Sequence, residues 1–346
     1  MLHFDNDYMR GAHPDILRRL SETNYEQSPG YGMDDYCAKA RDLILRECGM
    51  DGCGEVYFMT GGTQTNATVI DALLARHEGV LAASTSHVNV HEAGAIEASG
   101  HKVIVLDSPD GKLHAGAVAR YLRDFYADDT FEHMVAPGMV YISHPTELGT
   151  LYTLDELNDL ARVCGDAGIP LYLDGARLGY GLAASGTDVT LEDIARLCDV
   201  FYIGGTKVGA LFGEAVVVRQ RGLLPHFFSI IKQHGALLAK GRLLGLQFST
   251  LFTDRLYMRI SEHAVRMSIK LKQGFLAKGY SMYIDSPTNQ QFFILPNSEI
   301  DRLGGVATFS LWGPRGDCET PVRFVTDWST QESDVDALLD YLSSRL

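Results

Sequence analysis

Short apolar, β-branched runs alternate along the first two thirds of the chain with segments whose apolar residues recur at helical spacing. EVYFM (Glu55–Met59) predicts a strand, followed by GGTQTN and a helix over 67–76. VLAAS (80–84) and a helix over 93–99 come next, then HKVIVLD and a helix over 115–127. MVYIS (139–143) precedes a helix over 154–167, and PLYLD (170–174) leads into a loop and helix. DVFYIGG (199–205) and EAVVVR (214–219) complete the series. Runs this uniformly apolar fit a sheet covered on both faces, and strands separated by helices imply parallel pairing with right-handed crossovers.

After Gly222 the pattern changes. Residues 222–280 read mainly as helix, then QFFIL, VATFSLW and VRFVT read as strands, and a helix closes the chain over 332–346. The expected organisation is an α/β protein with an N-terminal arm over 1–35, a large, mostly parallel domain over 36–250 and a small α/β domain over 251–346.

Composition narrows the class. With 46% apolar and 21% charged residues the chain is ordinary globular protein, far from the disordered regime. A net charge of −14 without a Lys/Arg run argues against a nucleic-acid partner. No apolar run reaches spanning length, and MLHFDNDYMRGAHP lacks the basic and apolar regions of a signal peptide. A cytoplasmic location without membrane contact is therefore expected. The six cysteines are irregularly spaced and form no CxxC pair, which predicts reduced thiols and no metal site.

Three segments carry candidate chemistry. TGGTQTN (60–66) follows a strand and opens a helix, so free N–H groups of the first turn, with Gly62, Thr63 and Asn66, suit an anion. YLDGARLG (172–179) puts Asp174 at the carboxyl end of a strand, where α/β sheets bind ligands, with Arg177 three residues on. YIGGTKVGALFGEA (202–215) sets Lys207 after a buried strand among small and apolar residues, where desolvation favours the neutral amine, and Thr206 beside it suits a phosphate. Taken singly, these segments also read as a plain βα turn, an N-cap Asp and a surface lysine. Together they recur in one cofactor chemistry, that of fold-type-I pyridoxal phosphate enzymes. His87, in STSHVNVHEAG, follows the next strand, where an imidazole can stack on the pyridine ring.

These motifs, with NDYMRGAHP, YGMDD, SHPTELGTLY, KQHGALLAKGRL and VRFVTDWST, resemble the threonine aldolase family over nearly the whole chain. That resemblance implies the aspartate-aminotransferase fold and pyridoxal 5'-phosphate held as a Schiff base on Lys207. It implies that Asp174 pairs with the ring nitrogen, that His87 stacks on the ring, and that Gly62, Thr63, Asn66 and Thr206 cradle the phosphate. Arg177 is expected beside the ring hydroxyl or the substrate carboxylate, and Arg323 is expected to grip that carboxylate. Lys232 and Tyr31 are expected to reach a neighbouring subunit's site in a homodimer or homotetramer. Two departures stand out. Asn6 precedes Asp7 where the family often has Ser, though Asn still donates to a carboxylate. Glu147 falls where some members carry a histidine, with His144 out of register, so Glu147, His87 or a water is the open choice of base. The implied reaction is retro-aldol cleavage of L-threonine, L-allo-threonine or a related β-hydroxy-α-amino acid to glycine and an aldehyde. The alternatives are a β-eliminating lyase and a non-catalytic binder on the same fold.

Overall fold

In the computed structural model, which describes residues 1–344, the apolar runs form one seven-stranded sheet. After a two-residue β1 (Leu2–His3), its strands are β2 (Glu55–Met59), β3 (Glu78–Ala83), β4 (Lys102–Leu106), β5 (Ala136–Ser143), β6 (Leu171–Asp174), β7 (Val200–Gly204) and β8 (Glu214–Val218). The spatial order is β2-β8-β7-β6-β5-β3-β4. β6, β7 and β8 are buried at every position, as a sheet covered on both faces requires. The strands from β3 to β7 pair in parallel.

β8 departs from the parallel expectation and runs antiparallel to both its neighbours. The connection over 205–213 is a turn without a helix, and a parallel return needs a crossover of about a dozen residues or more.

Local chemistry sets the helix ends. Thr153 and Glu156 form a reciprocal capping box at the start of the helix Leu154–Ala167, and Gly168 at φ 68° ends it. The helix expected over 67–76 begins earlier and runs Gly62–Leu73. Its first turns are polar, but Thr65 and Thr68 donate back to the carbonyls of Gly61 and Gln64, so hydroxyls that suggest a loop are absorbed by the helix. The helix expected over 93–99 is two short pieces, His87–Val90 and Ala95–Ala98, because Ala93 and Gly94 both take left-handed backbone.

The C-terminal part contains β9 (Ser281–Ile284), β10 (Gln290–Pro296), β11 (Ala307–Thr308), β12 (Ser310–Leu311) and β13 (Glu319–Val325). Four of these form an antiparallel sheet in the order β12-β13-β10-β9. VATFSLW is not one strand, since the chain changes sheets between Thr308 and Ser310, and β11 pairs with β1. Phe4 thereby joins a core of Phe275, Phe293 and Phe324, and the Val325 N–H donates to the Phe4 carbonyl. The first residues of the chain are thus tied to the C-terminal sheet, which brings Asp7 and Tyr8 towards the edge of the large sheet.

Helices Asp35–Glu47 and Arg242–Leu251 pack closely across Gly245. A Cβ on Gly245 would lie 2.4 Å from the Cys37 nitrogen, which is backbone and cannot turn aside. Gly245→Ala should therefore destabilise the protein by about 1–3 kcal/mol, read as a lower urea midpoint at unchanged slope.

Candidate active site

β5 ends at Ser143, β6 at Asp174 and β7 at Gly204, while β8 begins at Glu214. All four residues lie at one edge of the sheet, where doubly wound folds bind ligands. A cavity of about 250 Å³ opens there. It is lined by Gly62, Thr63, His87, Glu147, Asp174, Arg177, Thr206 and Lys207, and also by Tyr8, Ser143, Tyr202 and Glu214. A larger cavity, about 420 Å³, lies beside Tyr31 and Phe228 and contains neither Lys207 nor Asp174.

Glycine allows the strand ends to meet. The Gly204 N–H donates to the Gly175 carbonyl at 3.0 Å. A Cβ on Gly175 would stand 1.9 Å from the Tyr202 oxygen, and one on Gly204 would stand 2.3 Å from the Ala176 oxygen. No side chain fits either gap, so glycine here is what brings the lysine turn onto the carboxylate.

Asp174 is buried and fully bonded. Tyr202 and the Ala176 N–H donate to Oδ1 at 2.5 and 2.9 Å, and Tyr141 and Asn66 donate to Oδ2 at 2.6 and 3.0 Å. Burial alone would raise its pKa, but the bonds from Tyr141, Tyr202 and Asn66 outweigh it and hold the carboxyl below its ordinary value. Asp174 therefore remains a carboxylate across the neutral range.

Asn66 does not face the cavity as expected. It is fully buried, and its amide nitrogen donates both to Asp174 and to Glu92 Oε1, the latter at 2.7 Å, while its carbonyl accepts from Tyr172 at 2.9 Å. A helix-start Asn beside glycines reads as an anion donor only while the buried carboxylates it must serve are unknown. Glu92 Oε1 also meets His87 Nδ1 at 2.8 Å, so Glu92 and Asn66 link the imidazole to Asp174 and fix the ring's orientation.

Lys207 is half-buried and follows the Gly204–Gly205–Thr206 turn. Burial lowers its pKa and the Arg177 charge adds to this, against the pull of Asp7, Asp174 and Glu214. The net effect favours the neutral amine, the nucleophilic form. Thr206 faces the cavity while its hydroxyl accepts from the Gly213 N–H at 3.0 Å.

Arg177 is held in a two-pronged grip by buried Asp7, Nε to Oδ2 at 2.7 Å and Nη2 to Oδ1 at 3.0 Å. Arg323 lies outside the lining, over Trp312, with bonds to Gln290 and the Asp5 carbonyl and with Nε unpaired. Burial and the Arg177 charge push its pKa down to about 10. Asn6 also stands outside the lining and accepts from the Tyr8 N–H at 3.1 Å. Lys232 stacks 4.4 Å over the ring of Tyr31, away from the Lys207 cavity. Tyr31, at φ 59°, takes a left-handed conformation unusual outside glycine. His144 is fully buried, and burial pushes its pKa to about 4, so it is neutral and outside the cavity. Glu147 does line it. The His87 N–H and the Ser143 hydroxyl donate to its Oε1 at 3.0 and 2.8 Å, and burial raises its pKa despite the Ser143 bond.

These features combine a half-buried lysine, a strand-end carboxylate, a helix N-terminus and an oriented imidazole around one small cavity. Residues 14–280 match the beta-eliminating lyase family model. A low specificity L-threonine aldolase from a Pseudomonas species is 30% identical over 96% of this chain and 94% of its own. The chain belongs to the beta-eliminating lyase family and, within it, to the threonine aldolases. Among solved structures, the Leishmania major threonine aldolase is 41% identical, covers 99% of both chains and superposes with a TM-score of 0.96. Aspartate aminotransferase from Thermus thermophilus shares the fold at 15% identity, with a TM-score of 0.69 over the whole of this chain and 92% of its own. The fold of this threonine aldolase family member is thus the aminotransferase α/β fold expected from the sequence.

Residues outside the motifs complete the site. Tyr141, Tyr172 and Tyr202 stand on three adjacent strands that are otherwise apolar except for Ser143 and Asp174 at their ends, and all three are essentially sealed from solvent. Buried hydroxyls need partners, so three tyrosines in successive apolar strands point to a shared polar centre, which here is Asp174 and the Asn66 that bonds it. Glu92, between two short helices, and Glu214, at a strand start, carry no comparable signal, because acidic residues at such positions ordinarily face water.

Proposed function

We propose that this enzyme cleaves L-threonine, L-allo-threonine or a related β-hydroxy-α-amino acid to glycine and an aldehyde, using pyridoxal 5'-phosphate linked to Lys207. The observation that carries the reading is Lys207 and Asp174 lining one cavity in a chain 41% identical to a threonine aldolase of known structure. The residues fit the cofactor: an amine biased to neutrality, a carboxylate kept ionised by four donors, and a helix whose first N–H groups have no side-chain cap. When bound, the cofactor ring accepts the electron pair released as the Cα–Cβ bond breaks.

The protein's own groups do the rest. Asp174 would keep the ring nitrogen protonated. His87, oriented by Glu92, would cover the ring. Gly62, Thr63 and Thr206 would hold the phosphate. Arg177 in the lining and Arg323 just outside it are the cations that would receive the substrate carboxylate and so orient the scissile bond. Glu147 takes the β-hydroxyl proton, since both bonds it accepts fall on Oε1 and leave Oε2 open to the cavity. Glu147→Gln should lower kcat about 10²–10⁴-fold with a smaller change in KM. Because burial raises the Glu147 pKa, wild-type kcat should fall as pH drops through that raised value, and the variant should lose this limb. A larger loss in His87→Asn than in Glu147→Gln would move the base to the imidazole.

The decisive assay measures products from a panel of β-hydroxy amino acids. Glycine with aldehyde supports the proposal, while pyruvate with ammonia would reassign the enzyme to β-elimination. A colourless protein that takes up no cofactor would make it a binder.

The active form is a dimer or tetramer in which Tyr31 and Lys232 serve a neighbouring site. Supporting this, Tyr31, Met33 and Phe228 are exposed and share one cavity, Lys232 stacks on Tyr31, and none of the four lines the Lys207 cavity. The six cysteines are free thiols, which suits the reducing cytoplasm. Among the described residues no helix is long and apolar enough to cross a membrane.

A further inference from the structure

Glu214 is a carboxylate that the reaction above does not use, although it lines the reaction cavity and is only 3% exposed. Its place in the sheet is informative. β8 begins with Glu214, which pairs with Met59 on one side and Gly204 on the other. Met59 leads into the Gly61–Gly62 loop, and Gly204 leads into the turn bearing Thr206 and Lys207. Glu214 therefore sits between the two loops that would hold a phosphate. Its Oε2 accepts from the Gly205 N–H at 3.0 Å, and the Thr206 hydroxyl hydrogen-bonds to it as well.

Charge counting then raises a problem. Asp174, Glu147 and Glu214 line the cavity, against Lys207 and an Arg177 already paired with Asp7. A phosphate brings roughly −1.5 to −2 further charge beside a Thr206 that is shared with a carboxylate. Once Lys207 is committed to the cofactor, no other unpaired lysine or arginine of the same chain, among the described residues, lines the cavity to offset an ionised Glu214.

We propose that Glu214 is a proton acceptor linked to cofactor binding, neutral whenever the phosphate is in place, so that phosphate binding at alkaline pH draws one proton from solvent into the site. This rests on the pyridoxal phosphate reading above. Burial supports it by pushing the Glu214 carboxyl up to about 8, against the Thr206 and Gly205 bonds and the Lys207 charge, with Asp174 acting in the same direction as burial. The other groups facing it are Tyr202, Tyr172 and Tyr257, whose hydroxyls are all raised by burial and carry no charge there. Below about 8 the acid is already neutral and binding moves no proton. Above it, Glu214 is ionised in the free protein and must be protonated on binding, so affinity falls with pH.

The test uses the cofactor-stripped full chain and inorganic phosphate, followed by calorimetry from pH 7.5 to 10. Lys207, whose pKa is lowered by burial, faces the same site, so the informative quantity is the difference between wild type and Glu214→Gln. The variant should bind phosphate about thirtyfold more tightly than wild type at pH 9.5 and nearly equally at pH 7.5, since one linked proton changes affinity about tenfold for each pH unit above about 8. Lys207→Ala provides a second arm, because any alkaline loss that survives there belongs to Glu214. Parallel pH profiles for wild type and Glu214→Gln, uniformly weaker binding in that variant, or a flat profile in Lys207→Ala would each overturn the proposal. A chain that takes up no pyridoxal 5'-phosphate would instead refute the cofactor reading, and this inference with it.

Discussion

Lys207→Ala will reduce kcat/KM for aldehyde release by at least about 10⁴-fold, or ~5.4 kcal/mol of transition-state stabilisation. The magnitude follows from what the amine does and from the absence of a substitute. Its pKa is lowered by burial and by Arg177, so it attacks without first surrendering a proton to a partner. Among the described residues, Lys207 is the only lysine lining the cavity. Lys232 is occupied over Tyr31, outside it. The helix start at Gly62 and Thr63 is untouched by the change, so the variant should still bind pyridoxal 5'-phosphate non-covalently, more weakly than wild type. Two measurements separate this from simple unfolding. Borohydride should fix cofactor to wild type and not to the variant, and the urea midpoint should be nearly unchanged, because the side chain ends in the cavity and not in the core. Covalent capture persisting in the variant would move the reactive amine elsewhere.

How much of this was legible beforehand differs between elements. The parallel strands β3 to β7 could be read directly, because continuous apolar runs between helical segments leave one architecture open. β8 could not be oriented, since direction there depends on whether the 205–213 turn contains a crossover, and GGTKVGALF carries no helical period. The termini were opaque for another reason. The pairing of Leu2 with Ala307 joins opposite ends of the chain, and two-residue strands leave no periodic signal. The site divides along the same line. Lys207, Asp174 and Gly62 follow strands, and their role depends on being at strand ends. Asn66 and Glu214 depend on which neighbours the sheet order brings beside them. Asn66 satisfies Asp174 and Glu92, residues from other elements, and no local pattern discloses that.

The same network makes Asp174 the second position of large effect. Asp174→Asn should lower kcat about 10²–10⁴-fold, the kinetic equivalent of the ~3–5 kcal/mol lost when one partner of a buried charged pair is removed. The substitution preserves shape and removes charge. One end of the new amide can still accept from Tyr202 and Ala176, but the other presents N–H groups to the Asn66 amide, which is itself a donor with no lone pair to offer. Tyr141 can rotate its hydroxyl to accept, whereas Asn66 must keep its carbonyl on Tyr172. The ring nitrogen then loses the anion that keeps it protonated, and the electron sink weakens while phosphate contacts at Gly62 and Thr63 remain. Loss should therefore appear in kcat with cofactor occupancy retained, and the absorption band of the bound cofactor should shift. The pH behaviour has a definite sign. The Asp174 carboxyl is held below its ordinary value, so its ionisation stabilises the fold above that ordinary value and the contribution disappears as pH falls through the lower, folded one. Wild type should lose stability to acid over that window more steeply than Asp174→Asn, which has no proton to bind there. Equal acid profiles in the two proteins would mean that the four donors around Asp174 do not favour the carboxylate, and its assignment as the partner of a protonated ring nitrogen would fall.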